Sequence, residues 1–353
     1  MQNFEDVIKE DCFYVDKTPF IEDIEGSNKY FFYIRPRRFG KSLTLSMLEN
    51  YYDINKKDDF ETIFGGLYIG ENPTPEHNSY LVIHLNFAEV DSGLDNYKEG
   101  LDTHCRLVFE DFCTRYAALL PQGTKEEMKS EQGAIAQLRF LCQKCSEVKH
   151  KIYLFIDEYD NFTNMILSSE EHLERYKGQT HGEGYLRRFF NTIKGAANTS
   201  LGRIFVTGVS PVTMDDLTSG FNIGTNYSLA PEFNEMTGFT EEEVREMLSY
   251  YAGVLPFNHT VDELIEIMKP WFDNYCFAIN SYGKTTMYNS IMVLNFVDNY
   301  IRNDYHIPNK MVETNIRIDY SKIRMLIRHD KEFAHDASII QELVTKGYTT
   351  GNL

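Results

Sequence analysis

An aromatic, β-type run, Phe31-Phe32-Tyr33-Ile34, breaks at Arg35-Pro36-Arg37-Arg38-Phe39 and leads at once into Gly40-Lys41-Ser42. The next ten residues, Leu43 to Tyr52, carry apolar side chains at helical spacing. A buried strand, a short loop closing in Gly-Lys-Ser, and a helix follow one another in the order of a phosphate-binding loop. Successive backbone N–H groups and the helix N-terminus are then expected to face phosphates. Lys41 would reach the β and γ oxygens, and the Ser42 hydroxyl would serve Mg²⁺. The expected nucleotide-binding segment is therefore Arg35, Pro36, Arg37, Arg38, Phe39, Gly40, Lys41, Ser42 and Leu43. The full pattern G-x-x-x-x-G-K-[ST] is not met, because Arg35 stands where the first glycine belongs. Pro36 restricts Arg35 to extended geometry, so this loop must turn in another way. Taken alone, the tripeptide also fits an ordinary helix N-terminus with a solvated lysine.

A second run, Lys151-Ile152-Tyr153-Leu154-Phe155-Ile156, ends in Asp157-Glu158-Tyr159-Asp160. A strand apolar on both faces belongs in a parallel sheet covered by helices. Carboxylates at its C-terminal end sit where open α/β sheets bind ligands. Asp157 is the expected metal-holding anion, and Glu158 is expected to orient and activate an attacking water. Strand alternation would send these two neighbours to opposite faces, so the strand is expected to end at Asp157. A third apolar run, Gly202 to Pro211, makes Thr207 the first candidate for a polar group at the γ-phosphate or lytic water, with Ser210 second. A threonine that merely caps the strand is the plainer alternative.

Leu81 to Phe87 reads as another core strand, followed by helical stretches at Leu94 to Leu120 and Lys125 to Val148. The alternation of strands and helices predicts an α/β fold with a mostly parallel sheet. Thr240-Glu241-Glu242-Glu243 is a capping box opening a helix. From there the pattern is nearly all helical and suits a lid, so the expected division is a nucleotide-binding unit at 1–238 and a helical lid or C-terminal unit at 239–353. The aromatic residues of Trp271 to Phe277 and Tyr288 to Phe296 are expected in that unit's core. Arg187 and Arg188, after the loop Tyr176 to Gly184, read either as an arginine finger for a neighbouring subunit or as a solvated helix face.

Composition sets outer limits. At 353 residues with 42% hydrophobic content, the chain has material for a real core, which excludes disorder. No apolar run approaches the ~20 residues of a membrane span, and no signal-peptide pattern opens the chain, so a cytoplasmic protein is the default expectation. The formal charge of −18 argues against direct nucleic-acid binding by this region. Against that background Arg35, Arg37, Arg38 and Lys41 form a positive island that fits a polyphosphate better than a duplex. Six scattered cysteines make no disulfide framework. Cys142-x-x-Cys145, lacking a second ligand pair, reads as ordinary reduced thiols.

Five segments in order, Phe13 to Ile21, Arg35 to Ser42, Phe155 to Asp160, Thr207 to Pro211 and Thr237 to Val244, resemble the AAA-ATPase-like family of bacterial P-loop proteins. The resemblance spans roughly residues 3 to 300. That family's loop reads Arg-Pro-Arg-Arg-Phe-Gly-Lys-[Ser/Thr], so the missing first glycine is a family trait. Further on, Trp271 to Phe277 and Tyr288-Asn289-Ser290 look like its Tyr-Asp-Gly-Tyr-Arg-Phe and Tyr-Asn-Pro blocks, with Asn274 for Gly, Cys276 for Arg and Ser290 for Pro. The resemblance implies ATP and Mg²⁺ as ligands. It also places the Asp16-to-Pro19 turn and the short helix Pro19 to Ile24 near the nucleotide base, and it leaves a homo-oligomer open. In the family a PD-(D/E)XK nuclease-like domain commonly follows. Its Asp and Glu-x-Lys signature is not seen after residue 300, where Tyr320 to Arg328 and Ser338 to Lys346 read as helices, so the nuclease is expected to be absent here. The expected function is a Mg²⁺-dependent ATPase that switches or powers an associated activity. The alternative is a nucleotide-binding switch or scaffold with little hydrolysis that presents its helical domain to a partner. A P-loop kinase fits less well, because kinases generally lack a carboxylate after the metal-binding Asp.

Overall fold

A computed structural model describes residues 3–90, 97–161, 184–197, 199–209 and 223–311. Helices α1 (Phe4–Lys9) and α2 (Phe20–Gly26) precede strand β1 (Tyr30–Ile34), and α3 (Lys41–Tyr52) follows the phosphate-loop segment. Strand β2 (Tyr80–Asn86) comes next, then α4 (Tyr97–Arg115), α5 (Thr124–Ser130), α6 (Gly133–Glu147) and β3 (Lys151–Asp157). Helix α7 (Tyr185–Ala196), β4 (Leu201–Gly208) and the short β5 (Thr225–Asn226) complete a five-stranded sheet of order β2-β3-β4-β1-β5. All four pairings in it are parallel.

The near-continuous apolar strands follow from coverage on both faces. Phe32, Ile34, Leu154, Ile156, Ile204 and Val206 pack into a layer with α4, α6 and α7. Their alternates Phe31, Tyr33, Tyr153, Phe155 and Phe205 pack with α1, α2 and α3. The outer edge at β2 is blunted by the end of α4. The Tyr116 hydroxyl accepts the Val82 N–H (2.8 Å), and Arg115 donates to the Val82 carbonyl (3.0 Å), so this stretch of ladder is already occupied.

A third hydrophobic cluster is built from α8 (Glu241–Val254), α9 (Val261–Phe272) and α10 (Ser290–Arg302). The capping box at Thr240 and Glu243 is present, and Thr260 with Glu263 forms a second one with the same sequence signature. The region is helical, as expected, with one short departure. Asp273–Tyr275 (β6) and Met287–Tyr288 (β7) form a two-stranded antiparallel pair, too short to leave a period-2 pattern in the sequence. Trp271 is likewise not core. Leu264, Ile265, Met268 and Phe272 form the buried stripe of α9, and Trp271 falls off it, 54% exposed.

The stretch expected as one helix from Lys125 to Val148 is two helices. The chain is extended at Glu131 and Gln132 and turns at Gly133, whose φ is +82°. Cys142 and Cys145 are free and buried on α6, and burial pushes the Cys142 thiol up to about 11 and the Cys145 thiol higher still. Ser210, most of the loop after Tyr176, and the segments Tyr320 to Arg328 and Ser338 to Lys346 lie outside the described residues. Among the described residues no helix is long and apolar enough to cross a membrane.

Candidate nucleotide-binding site

The loop after β1 opens at the C-terminal edge of the parallel sheet. Gly40 caps α3 with φ +87°, a left-handed conformation that glycine adopts without strain. Arg38 takes φ +71° in the same loop, a costly geometry for a side chain with a Cβ. Lys41, the first residue of α3, is 6% exposed, and its ammonium donates to the carbonyls of Arg35 (3.0 Å) and Pro36 (3.1 Å). Burial lowers its pKa, and the nearby carboxylates of Glu158, Asp157 and Asp160 act in the opposite sense. Ser42, one residue on, donates its hydroxyl to Asp157 Oδ2 at 3.0 Å.

Asp157 is the last residue of β3, and it shares the α3-facing side of the sheet with Phe155. The strand does end there, as the alternation argument required. Glu158 turns to φ +51°, and its N–H donates to Asp157 Oδ1 at 2.8 Å. That turn brings Glu158 into the same cleft as Lys41 and Ser42. Burial holds its carboxyl above the usual range, with Lys41 pulling the other way. Asp160 is fully buried and accepts the Val209 N–H at 3.1 and 3.2 Å, a tie between β3 and the end of β4. A Cβ on Gly208 would lie 2.4 Å from Asp160 Oδ1, so this crossing needs glycine.

Thr207 lies one residue beyond the Ile156–Val206 pair, beside Asp157 on the neighbouring strand. Its carbonyl accepts the Tyr159 N–H (3.1 Å), and its hydroxyl is buried with no hydrogen-bond partner among the described residues. An orphan buried hydroxyl is costly unless something meets it.

Arg35 departs from expectation. Its guanidinium is 1% exposed and donates to the carbonyls of Ile34 (2.9 Å), Ser228 (2.6 Å) and Phe233 (2.8 Å). It is sandwiched between the rings of Tyr33 and Phe277, 4.1 and 4.0 Å from their centroids. The side chain is thus a structural pin and no part of the cleft lining. The reason is local: Pro36 keeps Arg35 extended at the end of β1, and the strand's alternation turns it inward. Arg35→Leu is expected to lower unfolding free energy by about 2–3 kcal/mol, measured by urea denaturation, since buried carbonyls lose their donor. Phe277, expected in the core of the C-terminal unit, instead lies against this arginine and meets Phe39 edge-on.

The cleft holds about 690 Å³. Arg37, Arg38, Lys41, Ser42 and Glu158 line it together with the apolar and aromatic side chains of Val7, Phe13, Tyr14, Met236, Met247 and Tyr250. Phe13 meets Tyr250 and Tyr251 with ring centroids 5.4 and 6.2 Å apart. Phe13 and Tyr14 lie just before the Asp16-to-Pro19 turn, and from the turn itself Lys17 lines the cleft. The contribution of Val7, Met247, Tyr250, Ile291 and Leu294 was missed, because apolar positions on amphipathic helices look alike whether they face a core or a cleft. Arg187 and Arg188 do not join this cleft. Helix α7 packs on the opposite face of the sheet from α3, with the Arg188 guanidinium 5.7 Å from the Tyr185 ring.

A hydroxyl and a carboxylate in contact, both oxygen donors, suit Mg²⁺, which takes one or two carboxylates and completes its shell with substrate phosphates and water. Among the described residues no larger cluster of His, Cys, Asp or Glu converges on one point.

A parallel sheet with its phosphate-type loop after β1, and a carboxylate strand two positions away, defines an α/β core of the P-loop NTPase class. Residues 1–218 match the family model AAA-ATPase_like, described as "Predicted AAA-ATPase", and the chain belongs to that family. It is 25% identical over 266 residues to a protein of Azotobacter chroococcum mcd 1 described as "Uncharacterized protein in vnfD 5'region". That match covers 75% of this chain and 45% of the relative, so the chain spans just under half of the relative's length. Among solved structures it is similar to Cdc6p from Pyrobaculum aerophilum, at 12% identity and a TM-score of 0.40, over 79% of this chain and 57% of that one.

Proposed function

We propose that this chain binds ATP with Mg²⁺ and hydrolyses it, using residues 1–238 as the nucleotide-binding unit and residues 239–353 as a lid. The observation that carries this reading is the Ser42–Asp157 hydrogen bond, set in one cleft mouth with Lys41 and Glu158. The N–H groups of the loop and of the first turn of α3 would cradle the phosphates. Lys41 would leave its loop carbonyls for the β and γ oxygens. Ser42 and Asp157 would hold Mg²⁺, which supplies charge neutralisation when bound. Glu158, beside Asp157 but released from the strand, would take the proton of the attacking water. Thr207 would offer its unpaired hydroxyl to the γ-phosphate or to that water. The aromatic side chains of the cleft lining, Phe13, Tyr14 and Tyr250, would take the base.

The adenine preference rests on family membership. It is tested by thermal unfolding at equal concentrations of ATP and GTP with Mg²⁺. ATP is expected to raise the midpoint further, and equal or greater stabilisation by GTP would reverse the assignment. A second reading, a nucleotide-dependent switch with little hydrolysis, is favoured by Cys276. It stands where the family block has Arg, and its Sγ rests 3.2 Å from the Ala278 carbonyl. Phosphate release by wild type against Glu158→Gln separates the two readings.

A further inference from the structure

The Tyr288-Asn289-Ser290 block has no part in the chemistry above, yet it touches the phosphate loop. Asn289 Nδ2 donates to the Arg37 carbonyl (3.3 Å). Ser290 Oγ and the Ile291 N–H donate to the Arg38 carbonyl (3.3 and 3.4 Å), and the Gly238 N–H donates to the Phe39 carbonyl (3.0 Å). Three consecutive loop carbonyls are therefore held by groups some two hundred or more residues away in sequence.

In a trans peptide the carbonyl of one residue and the N–H of the next point in opposite directions across one rigid plane. Fixing the carbonyls of Arg37, Arg38 and Phe39 therefore fixes the N–H directions of Arg38, Phe39 and Gly40. These are the N–H groups a phosphate would meet. The loop needs such restraint, because it has no first glycine and carries Arg38 at φ +71°.

The clamp is itself rigid. Asn289 is 2% exposed, its Oδ1 caps α10 by accepting the Met292 N–H (3.2 Å), and its N–H donates to Phe272 (3.1 Å). Just before it, Tyr288 exchanges backbone hydrogen bonds of 2.7 and 3.1 Å with Phe239. Phe39 is braced edge-on by Tyr275 and Phe277 at 4.7 and 5.2 Å.

We infer that Asn289 and Ser290 are positioning residues for nucleotide phosphates, acting through the loop carbonyls to orient the N–H groups of the loop. This rests on the nucleotide-binding reading. It also makes the N-terminus of α10 the place where the C-terminal helices feel the loop.

The test is calorimetry of the full chain with ATP and Mg²⁺, for wild type, Lys41→Ala, Asn289→Ser and Ser290→Ala, with thermal unfolding of each in the absence of nucleotide. Serine at 289 keeps a neutral helix-capping oxygen but is too short to hold the Arg37 carbonyl. Asn289→Ser is expected to weaken ATP about fivefold to tenfold and Ser290→Ala about threefold, the scale of one neutral hydrogen bond. Nucleotide-free midpoints should stay within about 2 °C of wild type. In steady state the loss should fall on KM, with kcat held within about twofold, as for uniform binding. If wild type binds ATP and Lys41→Ala does not, while both clamp variants bind as wild type does, the inference is overturned and the nucleotide reading stands. If wild type itself does not bind, the nucleotide reading fails and takes the inference with it. Should Asn289→Ser lose stability without nucleotide, Ser290→Ala decides, and wild-type affinity there overturns the inference.

Discussion

Glu158→Gln is expected to bind ATP and Mg²⁺ as wild type does and to hydrolyse ATP at least ~10²-fold more slowly, the usual scale for a lost general base. The substitution keeps shape and removes only the basic oxygen. The position tolerates it structurally, because the left-handed turn at φ +51° is already borne by a residue with a full side chain. Burial holds the carboxyl above its usual range, which makes it a better proton acceptor than a solvated glutamate. Single-turnover phosphate release is the measurement. A wild-type rate would exclude Glu158 as the base and move the switch reading ahead. Asp160 would not inherit the role, since both its oxygens are engaged by the Val209 N–H in the buried tie to β4.

Lys41→Ala is expected to weaken ATP binding by ~10²-fold or more, because a charge-assisted contact to the β and γ phosphates is lost from a largely buried side chain. The fold should survive. Among the described residues the Lys41 ammonium donates to loop carbonyls, and its burial disfavours the charge. Calorimetry checks the affinity and circular dichroism checks the fold, and unchanged affinity in a folded variant would remove the phosphate-loop assignment.

The parallel sheet was legible because βα alternation and doubly apolar strands leave periodic signals that survive without tertiary information. The end of β3 at Asp157 was legible for a chemical reason: two adjacent carboxylates cannot both reach one cleft from a continuing strand. Other features were hidden in proportion to how far they depend on distant partners. The inward pin of Arg35 needs Ser228, Phe233 and Phe277, none of which a local window contains. The β6–β7 pair has five residues in all and no pattern of its own. Gly133, by contrast, divides the stretch expected as helical from Lys125 to Val148 through a glycine that is visible in the sequence itself.

Arg35 has a consequence that reaches beyond packing. Its positive charge is enclosed by two rings and three carbonyls, and among the described residues no carboxylate is paired with it. Mobile ions cannot enter that enclosure, so within the low-dielectric interior its field is screened much less than that of a surface charge. The charges of Arg37 and Arg38 at the cleft mouth face solvent more openly, and their pull on an approaching polyanion fades as salt is added. In a chain carrying −18 overall, which repels such a polyanion from afar, Arg35 is a fixed bias toward negative charge at the end of β1 that salt weakens less than it weakens Arg37 and Arg38.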